Sequence, residues 1–252
     1  MTKNILTSLI AGTFILISAC SSNKENTDET SQAEVIAEVA EPVQVPAVCI
    51  WDKISVRETA GAKGKYVTSL SVGESLSYLS KDSTIEEKTY ANVLLNDGKE
   101  GWALKSFIVN DAKPAVVLSD ISLYSRPDLL TKSDKIFKMM DIIASIEAQG
   151  DWMKIKGRRS GAKWMDEGWV KSGNISFDAV DIAGAKFALE ALAIEDETER
   201  ATALTEIINN GDLAGSRFIA ELESHLSELT MPTEAEEVEE EVSIEEQATD
   251  SI

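Results

Sequence analysis

Few side chains in this 252-residue sequence are equipped for covalent or acid–base chemistry. There is one histidine, His225, and there are two cysteines, Cys20 and Cys49. A structural zinc site takes four Cys, His or carboxylate ligands at close spacing, and a nucleophilic cysteine needs a base beside it. His225 stands next to Leu226 in an acidic stretch with no second histidine or cysteine nearby, which reads as a surface or interface position. No glycine-rich phosphate loop, zinc-ligand spacing or nucleophile elbow occurs. Carboxylates are plentiful, but the densest runs lie in segments with nothing to fix their geometry or pKa. The residues nominate no catalytic group, no metal and no cofactor, and they point away from an enzyme.

Side chains suited to binding are better represented. Trp102 and Trp169 each follow a glycine at the start of an expected strand, and Trp152 leads a strand of its own. The simplest expectation for Trp102 and Trp169 is that they complete a small hydrophobic core. Trp164 lies in Gly161-Ala162-Lys163-Trp164, a turn sequence, and is the better candidate for an exposed contact. Lys154, Lys156, Arg158, Arg159 and Lys163 put five bases within ten residues around an expected hairpin tip. Such a knob suits an anionic glycan, lipid headgroups or the chain's own acidic tail, against the plainer reading of a solvated loop.

The charge is uneven. Against 24 Lys and Arg stand 44 Asp and Glu, a net charge of −20. Residues 50–110 are neutral and 111–177 carry +2, whereas 178–230 and 231–252 carry −9 each. A chain this acidic is a poor match for a phosphate backbone, so nucleic acid is excluded as a partner.

Lys3 precedes an apolar run from Ile5 to Ile17, too short to span a bilayer, which needs about 20 residues. A charged start, an apolar core and small residues before a break describe a secretory signal peptide over 1–19. The break, Leu16-Ile17-Ser18-Ala19-Cys20, resembles the bacterial lipobox. That resemblance implies lipid attachment at the Cys20 sulfur, cleavage before it and acylation of the new amine. The alternative is a plain signal peptide with an incidental cysteine. Ser21-Ser22 after the cysteine resembles outer-membrane sorting, with the periplasmic or surface face open. With Cys20 lipidated, Cys49 is either a buried strand residue, as its apolar neighbours suggest, or free for an intermolecular disulfide.

Residues 20–47 lack aromatics and read as a disordered tether. Residues 48–110 and 115–177 then look duplicated. Ile54-Ser55-Val56-Arg57 is echoed by Ile121-Ser122-Leu123-Tyr124, and Glu100-Gly101-Trp102 by Glu167-Gly168-Trp169, both at an offset of 67. Between them Tyr90-Ala91-Asn92-Val93 best matches Trp152-Met153-Lys154-Ile155, an offset of 62 that loops of different length would produce. About five short strands per unit are expected, with Asn96-Asp97-Gly98-Lys99 as a hairpin signal. Ser55-Val56-Arg57, Leu70-Ser71-Val72-Gly73-Glu74, Tyr90 to Val93, Asp97-Gly98 and Gly101-Trp102-Ala103 together resemble the bacterial SH3-like (Src-homology-3) domain. The second copy offers Trp152 to Ile155 and Gly168-Trp169-Val170, but has Tyr124 in place of the arginine and lacks the Gly-Glu turn. The resemblance implies two small β-barrels, and aromatics along one barrel edge forming a groove for peptide or glycan-peptide ligands.

From Asp178 the period becomes helical. Three helices are expected, at about 180–195, 199–209 and 213–229, packing on one another, on a barrel or on a partner. Residues 231–252 hold nine acids and no base and read as a disordered tail. The fold class expected is mainly β with an α-helical C-terminal region. The expected function is a lipid-anchored envelope protein that binds peptidoglycan or peptide without chemistry. The alternative is an assembly role, in which the helices dock an envelope protein.

Overall fold

A computed structural model describes residues 43–231; the expectations for Cys20, for most of the tether and for the acidic tail after Met231 lie outside the described residues. The described chain is mainly β, with two seven-stranded antiparallel sheets followed by three α-helices. The first sheet comprises β1 (Val45–Cys49), β2 (Ile54–Arg57), β3 (Tyr66–Leu70), β4 (Ser75–Ile85), β5 (Lys88–Leu95), β6 (Glu100–Leu104) and β7 (Ile108–Asn110), in the order β3-β2-β6-β5-β4-β1-β7. The second comprises β8 (Lys113–Val117), β9 (Ile121–Tyr124), β10 (Lys132–Phe137), β11 (Ile142–Gln149), β12 (Trp152–Arg158), β13 (Met165–Lys171) and β14 (Ile175–Ser176). Its order, β10-β9-β13-β12-β11-β8-β14, is that of the first sheet strand for strand.

Each unit thus has seven strands where about five were expected. The five expected fall at β2 to β6; the added two are β1 and β7, which pair with each other, and in addition β4 does not stop at Leu79. It runs on through polar Lys81–Thr84 to Ile85 and returns as β5 through Glu86-Glu87, both at positive φ as a tight hairpin turn requires. Every strand of the first sheet contributes to one buried cluster, including Ala47, Val56, Leu70, Leu76, Val93, Ala103 and Ile108. Every strand of the second does the same around Phe137 and Ile143. A sheet whose seven strands all reach one cluster must curl around its own core.

The apolar runs at β1 and β8 are continuous because both faces are covered. Ala47 and Cys49 point into the first core, while Val48 and Ile50 join Val109, Ala144 and half-buried Ile146 and Met165 in a cluster between the two sheets. Cys49 is a core residue: it is fully buried, its Sγ lies 3.1 Å from the Trp51 carbonyl, and burial pushes its thiol pKa up to about 12. The Trp51 and Phe107 ring centroids lie 5.2 Å apart, and the Arg158 guanidinium of the second sheet stands 4.6 Å from the Trp51 ring centroid.

The helices are α1 (Ala179–Leu192), α2 (Glu197–Ile208) and α3 (Ile219–Thr230). Their stripes pack inward: Ala185, Ala188, Leu204, Phe218 and Leu222 meet Val116 and Ile142 of the second sheet. The third helix starts later than expected. Asn210 caps a short turn at Gly211–Leu213, and the chain then crosses α1 at Gly184, where a Cβ would lie 2.4 Å from the Ser216 Oγ. Buried Asp181 ties the joint, accepting from the Ser176 Oγ at 2.6 Å and the Arg217 amide at 2.8 Å. No helix among the described residues is long and apolar enough to cross a membrane. All the buried clusters draw on residues 47–222, and the described residues form one compact unit with its own cores.

Candidate functional site

The two Gly-Trp pairs do not place tryptophan in the core, which corrects the expectation for Trp102 and Trp169. In β6 and β13 it is Gly101 and Ala103, and Gly168 and Val170, that face inward. The neighbouring strand comes too close for any side chain there. A Cβ on Gly101 would lie 2.5 Å from Val56 Cγ1, and one on Gly168 would lie 2.7 Å from the Tyr124 carbonyl oxygen. Strand alternation then puts each tryptophan on the outer face, half-buried.

On the second sheet that outer face is aromatic and cationic. Register sets Trp152 opposite Lys171, Lys154 opposite Trp169 and Lys156 opposite Glu167, with Trp169 opposite Tyr124 on its other side. The Tyr124 and Trp152 rings meet edge to face at 4.9 Å, and the Lys171 ammonium stands 4.1 Å from the Trp152 ring centroid. Lys171 is new to this face, and Tyr124 enters the sequence reading only as a departure from the repeat's arginine. Their signal was register: Lys171 is two residues beyond Trp169, and Tyr124 occupies the place of Arg57 in the repeat.

Trp164 lies elsewhere, in the β12–β13 turn, and is 81% exposed. It stands on an open groove of about 560 Å³ lined also by Lys135, Arg159, Lys163, Met165 and Asp166. The turn is held on both flanks. At its start the Ser160 amide and Oγ donate to the Asp141 carboxylate at 3.0 and 2.6 Å, and the Lys138 amide donates to the other oxygen at 2.8 Å. Burial pushes the Asp141 carboxyl above its usual range, and these hydrogen bonds oppose the rise. At its end Asp166 accepts from Arg159 Nε at 2.7 Å and from the Lys135 ammonium. Partial burial alone would raise the Asp166 carboxyl; the Lys135 and Arg159 hydrogen bonds outweigh it and hold the group below the usual carboxylate range.

The five bases of the expected cationic knob are not alike. Lys154 and Lys156 share Glu167, at 3.0 and 3.6 Å, and the Lys154 hydrogen bond leads in holding that carboxyl low. Arg159 is spent on Asp166, and Arg158 covers Trp51. Lys163 alone of the five has neither an ion pair nor an aromatic ring to cover among the described residues, and it lies beside Trp164. His225 lies between Glu221 and Glu228, at 3.6 and 3.9 Å, on the outside of α3. Among the described residues no three His, Cys, Asp or Glu side chains converge as a metal-ion set. The arrangement can hold a ligand by stacking and charge.

No family model matches the chain, and no curated protein matches it. Among solved structures it is similar to NlpC2 and NlpC1 from Trichomonas vaginalis, at 12% and 11% identity and a TM-score of 0.24 for each. The likeness covers 66% and 62% of this chain and 56% and 55% of those structures, so the chain spans little more than half their length. At that TM-score the likeness bears on neither fold nor activity.

Proposed function

We propose that this chain is a lipid-anchored protein of the bacterial envelope, with its two sheets acting as tandem SH3-like barrels that bind peptidoglycan or its stem peptide without catalysis. Cys20 carries the anchor, and the residues after it favour the outer membrane. The observation that carries the binding is Trp164, a large aromatic left in solvent on a turn braced at both ends. An ordered, exposed tryptophan gives a ligand stacking area at little cost in conformational entropy. Lys163 beside it supplies charge for a stem-peptide or sugar carboxylate.

The test is co-sedimentation of residues 41–252 with purified peptidoglycan at physiological salt. Binding is expected to persist at raised salt, because stacking is not screened as exposed charge pairs are. Trp164→Ala is expected to weaken it by about tenfold or more, as removal of a central aromatic contact does. Absence of binding, or binding indifferent to Trp164→Ala, overturns the proposal.

A further inference from the structure

The β9–β10 connection carries two leucines into solvent. Leu129 is 64% exposed and Leu130 is 93% exposed. The turn that presents them is nonetheless ordered by its own hydrogen bonds. Asp128 Oδ1 accepts from the Leu130 amide at 3.0 Å, and the Ser125 amide donates to the Thr131 carbonyl at 3.1 Å. The Thr131 hydroxyl bridges the base of the turn: it accepts from the Arg126 amide at 3.2 Å and lies 2.9 and 2.8 Å from the Arg126 and Asp128 carbonyl oxygens. Pro127 stiffens the segment further by fixing its own φ.

The shared strand order does not demand this apolar pair. The equivalent connection in the first sheet, between β2 and β3, runs Glu58-Thr59-Ala60-Gly61-Ala62-Lys63-Gly64-Lys65 and holds no large apolar residue. Arg126 and Lys132 flank the leucines, both are exposed, and neither is paired with an acid among the described residues. The Asp128 carboxylate is turned back onto the turn's own amide, while Asp134 lies further along β10.

We propose that the Leu129–Leu130 turn is a point of contact with an anionic lipid surface. The two leucyl side chains enter the interfacial layer, and Arg126 and Lys132 meet headgroup phosphates. A convex tip with two apolar side chains between bases suits a fluid interface, which needs no complementary cavity. The overall charge of −20 does not forbid it, because at physiological ionic strength charges beyond about 8 Å are largely screened, and around the leucines Arg126 and Lys132 balance Asp128 and Asp134. The inference rests on the envelope reading only for the nearness of a bilayer; the contact itself needs no anchor.

Residues 41–252, which lack Cys20, are mixed at millimolar lipid with vesicles of equimolar phosphatidylglycerol and phosphatidylethanolamine, and bound protein is read by sedimentation. Measurable binding is expected, reduced about tenfold or more by Leu129→Ser with Leu130→Ser, since even partial burial of two leucine side chains raises partitioning about tenfold. Arg126→Gln with Lys132→Gln is expected to lower binding several-fold and to abolish the preference over phosphatidylcholine vesicles. All four positions are exposed, and an unchanged melting temperature verifies that folding is intact. No binding by the parent, or equal binding by the double-serine variant, overturns the proposal. Since the test protein carries no Cys20, the outcome is independent of acylation, which palmitate incorporation into the whole chain reads separately.

Discussion

The two sheets share a strand order and differ in where they spend five residues. In the first, Tyr78 pairs with Val93, 15 positions on; in the second, Ser145 pairs with Ile155, 10 positions on. At the next hairpin the difference reverses, Val93 pairing with Gly101 at 8 positions and Ile155 with Gly168 at 13. The first sheet therefore has the longer β4–β5 hairpin and closes β5–β6 with a tight Asp97-Gly98 turn. The second has a short β11–β12 hairpin and a long β12–β13 turn, and Trp164 sits in the added length. The strand frame is held constant while the added length, and the exposed chemistry on it, falls in different loops. The outer faces differ in the same sense: Arg57, Asn92 and Trp102 in the first correspond to Tyr124, Lys154 and Trp169 in the second.

The largest expected effect bears on whether the two sheets are also energetically separate. Phe137→Ala empties the centre of the second core and is expected to cost about 3–5 kcal/mol. Because the apolar cluster around Val48, Ile50 and Ala144 joins the sheets, both are expected to melt in one transition, shifted as a whole. A first-sheet transition left at its original temperature in calorimetry breaks the claim that they are coupled.

A smaller effect distinguishes the paired glycines. Gly101→Ala and Gly168→Ala each force a Cβ against the neighbouring strand and are expected to cost about 1–3 kcal/mol by denaturant unfolding. Alanine tolerated at one position but not the other would show that the strand approach is not shared.

The smallest concerns the brace that only the second sheet has. Asp166→Asn is expected to cost about 1 kcal/mol at neutral pH, since its partners are partly exposed. Its depressed pKa sets the sign: the contribution is full above the unfolded value of about 3.9 and is lost as pH falls through the lower folded value. The variant is therefore expected to lose less stability than the parent on acidification below about pH 4, measured as urea midpoints.

Much of the frame was legible in the residues. The echo of Gly-Trp at a constant offset located equivalent strands, Asp97-Gly98 located a turn with Gly98 at φ 81°, and the helical stripes located three helices. The face of the tryptophans was not legible, because Gly-Trp-Ala alternates equally well in either sense. Only the approach of Val56 and Tyr124 decides which residue has room inside. The brace on the Trp164 turn was hidden for a similar reason: Lys135 and Asp141 come from β10 and the turn after it, and a local reading of residues 154–164 has no access to them. The polar run Lys81–Thr84 gave no apolar alternation, because both faces of the β4–β5 extension meet solvent. The late start of α3 depended on the crossing at Gly184, which is set by packing between helices.

The seam between the sheets has a historical corollary. Repeats joined by flexible linkers can be gained, lost or shuffled one at a time, since each copy keeps its own solvent-facing surface. Here the first copy offers Val48 and Ile50, and the second answers with Ala144 and Ile146, so each has given up part of its independent exterior. Separating the two sheets at that seam would leave apolar surface bare on both, so neither is a free-standing module.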